Sequence, residues 1–373
     1  MSVSILAAGD IVLNDKLNRT PGPGTVYDRL RAADSCFANL EMPFCKDGYP
    51  AEKLIALRCD PQHASVIREI GVDVVTVANN HAMDYGMEGL RMTSQALDRV
   101  GVAHVGTGAD IFQAYAPFLK TLNGVRVAYM GVTTTLPNGA GAGASRPGLA
   151  GVRVFSKYVV DTVTIDESPG MAPFVETETY KPDEEMLLQT IRHARTRADV
   201  VLVAIHWGVP YGWIHRTQDE VATYQRPLAR AMVEAGASAV FGHHPHVVQG
   251  VEWHEGCPIF YSLGNFIFSN NIVTPADSWR TYPPYDWSSL QTTLSNIGAL
   301  AKVTWSQGKV SGCSLVPITI AEDGEPVEAT RQDATTLLSR LQALSKDRAI
   351  QFTLRKQNAG YEIDITKRTG PSL

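Results

Sequence analysis

The sequence predicts a layered α/β fold, and three observations carry that expectation. Short apolar runs alternate with amphipathic helical stretches through residue 268. Several of the apolar runs end in Asp, Asn, Glu or His rather than in ordinary turn residues. The 373 residues are 44% apolar and 19% charged, ordinary values for a soluble protein with a sizeable core.

That length suits one large domain or two ordinary ones. A formal charge of −5 gives no electrostatic reason to expect nucleic acid or an anionic membrane surface as partner. No stretch approaches the roughly 18 uninterrupted apolar residues of a membrane span. Met1 to Asp10 lacks both a basic n-region and a full apolar h-region, so a cytoplasmic location is expected. The cysteines, Cys36, Cys45, Cys59, Cys257 and Cys313, are odd in number and scattered. They argue against a disulfide framework and a structural zinc knot, and fit a reducing compartment.

Along the chain, Ser2 to Ala8 reads as a buried strand ending at Gly9-Asp10. A short helix, about Val26 to Ala33, follows the turn Pro21-Gly22-Pro23-Gly24. A strand from Ser35 to Leu40 ends in Asn39-Leu40-Glu41, and a helix around Pro61 to Ile70 leads to a strand ending in Asn79-Asn80-His81. Met87 to Val100 has helical spacing and a C-terminal stop at Gly101. Strands at about Ala103 to Val105 and Val125 to Gly131 come next. Asn138 to Gly151 is a Gly/Ala-rich loop with no strand-loop-helix context for a phosphate cradle.

Residues 138–180 read as an insertion, irregular or β in its second half. A helix from Pro182 to about Arg197 has acidic residues in its first turn and basic ones in its last. The strand Val200 to Ile205 ends in His206-Trp207-Gly208, before an aromatic loop with Tyr211, Trp213 and His215. A helix from about Asp219 to Ala235 precedes the run Ala237 to Phe241, which ends in Gly242-His243-His244-Pro245-His246. Ile259 to Phe266 reads as one more strand. Residues 270–296 look like a long active-site lid, Ala299 to Ile320 a hairpin turning at Gln307-Gly308, and Ala334 to Ser345 a helix before a weakly held polar tail. A catalytic domain over 1–330 and a C-terminal helix with tail over 331–373 are therefore expected.

In parallel sheets the polar residues at strand C-terminal ends converge on one rim, where ligands bind. Asp10, Asn39, Glu41, Asn80, His81, His206, His244 and His246 would then share a rim. A His-rich surface turn is the bland alternative for residues 242–246, and the other four strand ends weigh against it.

These motifs in this order resemble the CapA-type (poly-γ-glutamate capsule synthesis, PGA_cap) family within the calcineurin-like metallophosphoesterase superfamily. The matching text is Ala8-Gly9-Asp10, Asn39-Leu40-Glu41, Ala78 to Gly86 (ANNHAMDYG), His206-Trp207-Gly208, Gly242 to His246 and Tyr261 to Phe266. The resemblance covers residues 3–268. It implies a four-layer α/β/β/α sandwich of metallophosphoesterase type with two divalent ions at the rim. By motif match, Asp10 and His246 would hold one ion, and Asn80, His206 and His244 the second. Glu41 stands at the bridging carboxylate, and His81 at the histidine that protonates the leaving group. Two departures are visible. Asp10-Ile11-Val12 lacks the histidine of the superfamily's Asp-x-His motif, which leaves the first site one ligand short, and Glu41 replaces the usual Asp.

Three readings follow. The first is a metal-dependent hydrolase or amide-acting enzyme on a peptide-like, glutamyl or small-molecule substrate. Its nitrogen and oxygen donors suit Mn, Fe or Zn, and no organic cofactor is implied. The second is a metal- and cofactor-independent peptide epimerase, with Asp10 and His244 or His246 as acid–base dyad. The third is a non-catalytic capsule-assembly accessory. Among weaker candidates, Trp207, Tyr211 and Trp213 could line a substrate groove or simply pack. Asn265 would position a rim histidine and Asp84 the His81 loop, while His243 is expected to pack aside. Arg58, Arg146, Arg153 and Arg216 could meet a polyanion but suit solvated positions better.

Overall fold

The computed structural model describes residues 1–13, 24–208, 219–268, 295–345 and 350–367. Its strands in chain order are β1 (Ser2–Val12), β2 (Ser35–Leu40), β3 (Val74–Thr76), β4 (Ala103–Val105), β5 (Thr107–Gly108), β6 (Phe118–Leu122), β7 (Val125–Thr133), β8 (Gly148–Leu149), β9 (Val154–Val159) and β10 (Phe174–Thr179). They continue as β11 (Val200–His206), β12 (Ala239–His243), β13 (Val251–His254), β14 (Cys257–Phe260), β15 (Asn265–Phe268), β16 (Ile297–Ser306), β17 (Lys309–Ile320), β18 (Pro326–Glu328), β19 (Ile350–Lys356) and β20 (Tyr361–Lys367).

Two sheets carry the fold. The first runs β19-β20-β17-β16-β1-β2-β3-β4, with β15 beside β1 and β18 beside β17; the second runs β13-β14-β12-β11-β7-β6. The strands that end at the rim are parallel: β1 to β2, β2 to β3, and β7 to β11 to β12.

Period-2 alternation builds three apolar layers. On β1, Val3, Ile5 and Ala7 face the space between the sheets, while Leu6 and Ala8 face outward to helices. On β11, Val200, Leu202 and Ala204 face inward, and Val201, Val203 and Ile205 meet the helices Lys181–Arg197 and Gln225–Glu234. The helix Gly86–Val100 covers the other face through Ala96 and Leu97. The layers are therefore helix, sheet, sheet, helix, as expected. Among the described residues no helix is long and apolar enough to cross a membrane.

Most local expectations hold. The helix at 86–100 stops at Gly101 with φ +71, and the helix at 181–197 has Pro at its start, Asp183 and Glu184 in its first turn and Arg197 in its last. Gln307 and Gly308 have φ of +51 and +73, the paired positive values a two-residue hairpin turn requires.

Three expectations change. Residues 350–367 of the tail are not weakly held: β19 and β20 form a hairpin on the first sheet, burying Ile350, Phe352, Ile363 and Ile365. Their alternation with Gln, Thr, Glu and Asp reads as polar on average. The run Ile259 to Phe266 is not one strand. It breaks after Phe260, and Gly264 (φ +70) carries the chain from the second sheet to the first. The second half of the 138–180 insertion is β, as that reading allowed: residues 154–179 form a separate hairpin, β9–β10, with the short helix Thr162–Glu167 at its tip. The helix expected from Asp219 begins at Gln225. Of the expected lid, residues 270–294 lie outside the described residues.

Candidate metal centre

Strand register brings the rim together. Asp10 on β1 lies opposite Asn39 on β2 and Asn265 on β15, and His206 on β11 lies opposite His243 on β12. Close backbone approach makes this possible. A Cβ on Gly9 would stand 2.0 Å from the Gly264 carbonyl oxygen, and one on Gly242 would stand 2.1 Å from that of Tyr261. His244 and His246 take φ of +97 and +55, left-handed values uncommon for residues other than glycine. Such backbone geometry concentrates at functional sites, and here it turns both rings off the end of β12 into the rim.

Asp10 is fully buried and surrounded by donors. Asn39 Nδ2 donates to Oδ1 at 2.9 Å, His243 Nδ1 lies 3.1 Å from Oδ1, and the His244 amide donates to Oδ2 at 3.3 Å. His246 Nδ1 is 3.4 Å from Oδ2. Burial alone would raise this carboxyl's pKa, but the hydrogen bonds and charges of His243 and His246 outweigh it, holding it well below its usual range. His243 therefore does not pack aside as expected. It ends β12 with its ring on Asp10.

Glu41 is equally deep, 1% exposed, yet starved of donors. Its Oε1 has no hydrogen bond, although His206 Nε2 is 3.4 Å away and His246 Nε2 3.7 Å. Its other oxygen has a marginal 3.5 Å contact with Asn39 Nδ2. Burial first, and then the Asp10 charge, push its pKa well above normal.

The imidazoles split in the same way. Burial and the neighbouring His244 hold His206 well below its usual value. Burial and His246 press His244 down to about 3. For His246 burial also opposes charge, but Glu41 and Asp10 overcome it and lift the ring to about 9.

Two groups of potential ligand atoms, each within 4.8 Å of one another, result: Glu41 with His244 and His246, and Asp10 with Glu41 and His206. Glu41 belongs to both, the placement expected of a bridging carboxylate, but the other ligands regroup: His246 falls with His244 rather than with Asp10, and Asp10 falls with His206. Asn80 Oδ1 completes the edge, 2.8 Å from His206 Nε2. Carboxylate oxygen, imidazole nitrogen and amide oxygen suit Mn, Fe or Zn. A buried carboxylate oxygen with imidazoles around it and no hydrogen bond is what a cation would satisfy, so the residues fit a divalent metal.

His81 sits at the edge. Its Nδ1 is 2.6 Å from Asp84 Oδ2, and its amide donates to Asn79 Oδ1 at 3.0 Å. Asp84 orients this loop as expected, and Asn265 Oδ1 meets His246 Nδ1 at 2.9 Å. Burial, ahead of the opposing Asp84 contact, lowers the His81 pKa. Lys53 also reaches this corner, bonding the Asn80 carbonyl at 2.7 Å. No motif surrounds Lys53 in the sequence, so nothing there could have singled it out.

Other candidates resolve differently. Trp207 is fully buried, stacked on Tyr261 and donating to its carbonyl, among residues under the helices of the second sheet. It packs and cannot line a groove, because alternation turns it away from the rim. Tyr211, Trp213 and Arg216 lie outside the described residues. Arg58 stacks on Tyr85, Arg146 bonds the Gly141 carbonyl, and Arg153 pairs with Asp183. Cys36 is buried in β2 and Cys257 partly exposed at the start of β14.

Residues 4–270 match the profile of a family described as bacterial capsule synthesis protein PGA_cap. An uncharacterized protein of Sinorhizobium fredii, y4sH, is 28% identical over 94% of this chain and 91% of its own length. The PGA biosynthesis protein CapA of Bacillus subtilis is 31% identical over 72% of this chain, and the capsule biosynthesis protein CapA of Bacillus anthracis is 32% identical over 67%. The matches span 64% and 54% of those two CapA proteins.

Proposed function

The chain belongs to the bacterial capsule synthesis PGA_cap family, and from that premise we propose that it is a divalent-metal-dependent hydrolase acting on an amide bond of a glutamyl, peptide-like substrate. The observation that carries the reading is Glu41: buried, with one carboxylate oxygen free of hydrogen bonds, and common to both groups of ligand atoms. Glu41, His244 and His246 would hold one ion, and Asp10, Glu41 and His206 a second, with Asn80 beside it. A bound ion supplies a Lewis acid and a water of lowered pKa.

The chain's own residues do the rest. Asn39 and His243 fix Asp10, and Asn265 fixes His246. His81 spends its Nδ1 proton on Asp84, so its Nε2 is the atom that moves a proton to or from the leaving amine. The glutamyl assignment comes from the family's association with poly-γ-glutamate and from the name of the Bacillus subtilis relative. Five cysteines, none of them in a disulfide, suit a cytoplasmic setting.

One observation favours a second reading. Asp10 and His246 form a preformed carboxylate–imidazolium pair, the parts of a metal-free proton-transfer dyad for peptide epimerisation.

Metal analysis of protein purified without chelators, paired with amine release from γ-glutamyl oligopeptides, separates the readings. The hydrolase reading expects stoichiometric metal and loss of amine release in EDTA. Metal-free protein whose substrate exchanges its α-proton with D2O regardless of EDTA would establish the epimerase instead. Absence of metal and of any turnover would leave an accessory role.

A further inference from the structure

We propose that Lys53 is a positioning residue for His81, setting the imidazole through Asp84 and the Asn80 carbonyl; the kinetic part rests on the hydrolase reading above. Lys53 lies in the loop between β2 and the short turn Pro61–His63, whose residues 46–50 are exposed. That loop is fastened to the His81 turn chiefly at Asp84. The Ala51 amide donates to the Asp84 carbonyl at 2.6 Å, and the Leu57 amide donates to its Oδ2 at 2.7 Å. The Lys53 ammonium donates to Asp84 Oδ1 at 2.5 Å and to the Asn80 carbonyl at 2.7 Å.

The division of labour at Asp84 follows from who can donate. A carboxylate only accepts, so His81 Nδ1, 2.6 Å from Oδ2, carries the proton between them. Nδ1 therefore has no lone pair for Lys53, whose Nζ lies 3.3 Å away. That approach sets donor against donor, so the ammonium acts on the ring through Asp84. It occupies Oδ1 and leaves Oδ2 to the imidazole and the Leu57 amide, so that the carboxylate is held at both oxygens. The same ammonium grips the carbonyl of Asn80, one residue before His81, so backbone and ring are fixed together. Asp84 is fully buried, and Lys53, 25% exposed, is its lysine partner. A compact ammonium with three donors suits two acceptors at this angle, where a planar guanidinium would have to displace one of them.

The test compares Lys53→Met, Lys53→Gln and Lys53→Arg in the full chain. Lys53→Met should lower kcat on γ-glutamyl peptide about 10- to 100-fold with KM within about twofold, as expected when a reacting group loses its orientation. Long-range 1H–15N spectra of the imidazoles should show His81 protonated on Nδ1 in the wild type and a mixture of tautomers in Lys53→Met. Lys53→Arg, which keeps charge and donors, should recover part of the rate. If Lys53→Met does not fold, Lys53→Gln supplies both readouts. Wild-type kcat, or a lowered kcat with unchanged His81 nitrogen shifts, overturns the proposal. If the wild type itself turns over no glutamyl peptide, the hydrolase reading fails, and the nitrogen shifts alone decide for or against Lys53.

Discussion

Asp10 and Glu41 end neighbouring strands, are equally buried, and live opposite lives. Asp10 is held by Asn39, His243, His244 and His246, and is driven to its charged form. Glu41 has imidazole nitrogens near but no hydrogen bond on Oε1, and is driven towards its neutral form. The difference teaches which carboxylate the protein satisfies by itself and which it leaves for a cation to satisfy. A saturated group holds the site's geometry, while an unsatisfied one stores a cost that a cation removes.

The largest expected effect breaks the scaffold. In metal-free protein, Asp10→Ala should cost about 3–5 kcal/mol in urea unfolding, because it strands buried donors and leaves the His246 charge without its nearest partner. Glu41→Gln in the same protein should change stability by about 1 kcal/mol or less, since little is bonded to lose. Equal losses in the two variants would show that the contrast between them is not real.

Metal binding should weigh Glu41 itself against the hydrogen bond that holds Asp10. Glu41→Gln removes the carboxylate common to both ligand groups and should weaken Mn or Zn binding about 100-fold or more by titration calorimetry. Asn39→Ala, which removes no ligand but loosens Asp10 and the Asn79 amide, should cost nearer 10-fold. An Asn39 variant as impaired as the Glu41 variant would move the metal's weight from Glu41 to Asp10.

Much of this was legible in the sequence, for a physical reason. Parallel strands carry their chemistry at one end, so the order Asp10, Asn39, Glu41, Asn80, His81, His206, His244, His246 could be read as a rim before any coordinates. The apolar runs of β1, β11 and β12 and the stop at Gly101 were equally plain. What escaped depends on direction or distance rather than composition. Trp207 follows His206 directly, and period 2 turns it to the opposite face, which adjacency in sequence conceals. His243 looked redundant beside its two neighbours until β12 set it on Asp10. The switch of sheets at Gly264 depends on Gly9 leaving room across the rim. The β19–β20 hairpin buries only two side chains per strand, too few for its average polarity to show. Lys53 acts across a turn on residues about thirty positions away, with no motif to mark it.

The smallest effect tests the same contrast through protons. In metal-free protein, His246 is raised from 6.5 to about 9, so it contributes stability fully present below pH 6.5 and lost as pH rises through 9. Glu41, also raised, adds stability that is present below its unfolded value and lost as pH rises through its folded one. His244 is depressed to about 3, so it binds its proton less well folded than unfolded. Its penalty grows as pH falls from 6.5 towards 3, and His206 adds to it with the same sign. Asp10, held low, loses its contribution only in stronger acid still. Stability of the metal-free protein should therefore peak near pH 6.5 and fall on both sides. The alkaline loss should be of order 2 kcal/mol by pH 9, below the one-proton ceiling of about 1.4 kcal/mol per pH unit. Urea midpoints in EDTA across pH 5 to 9 measure it, and Glu41→Gln, by removing the charge that raises His246, should flatten the alkaline limb. A limb that survives that substitution unchanged would mean that Asp10 alone charges His246 and that Glu41 stays neutral beside it.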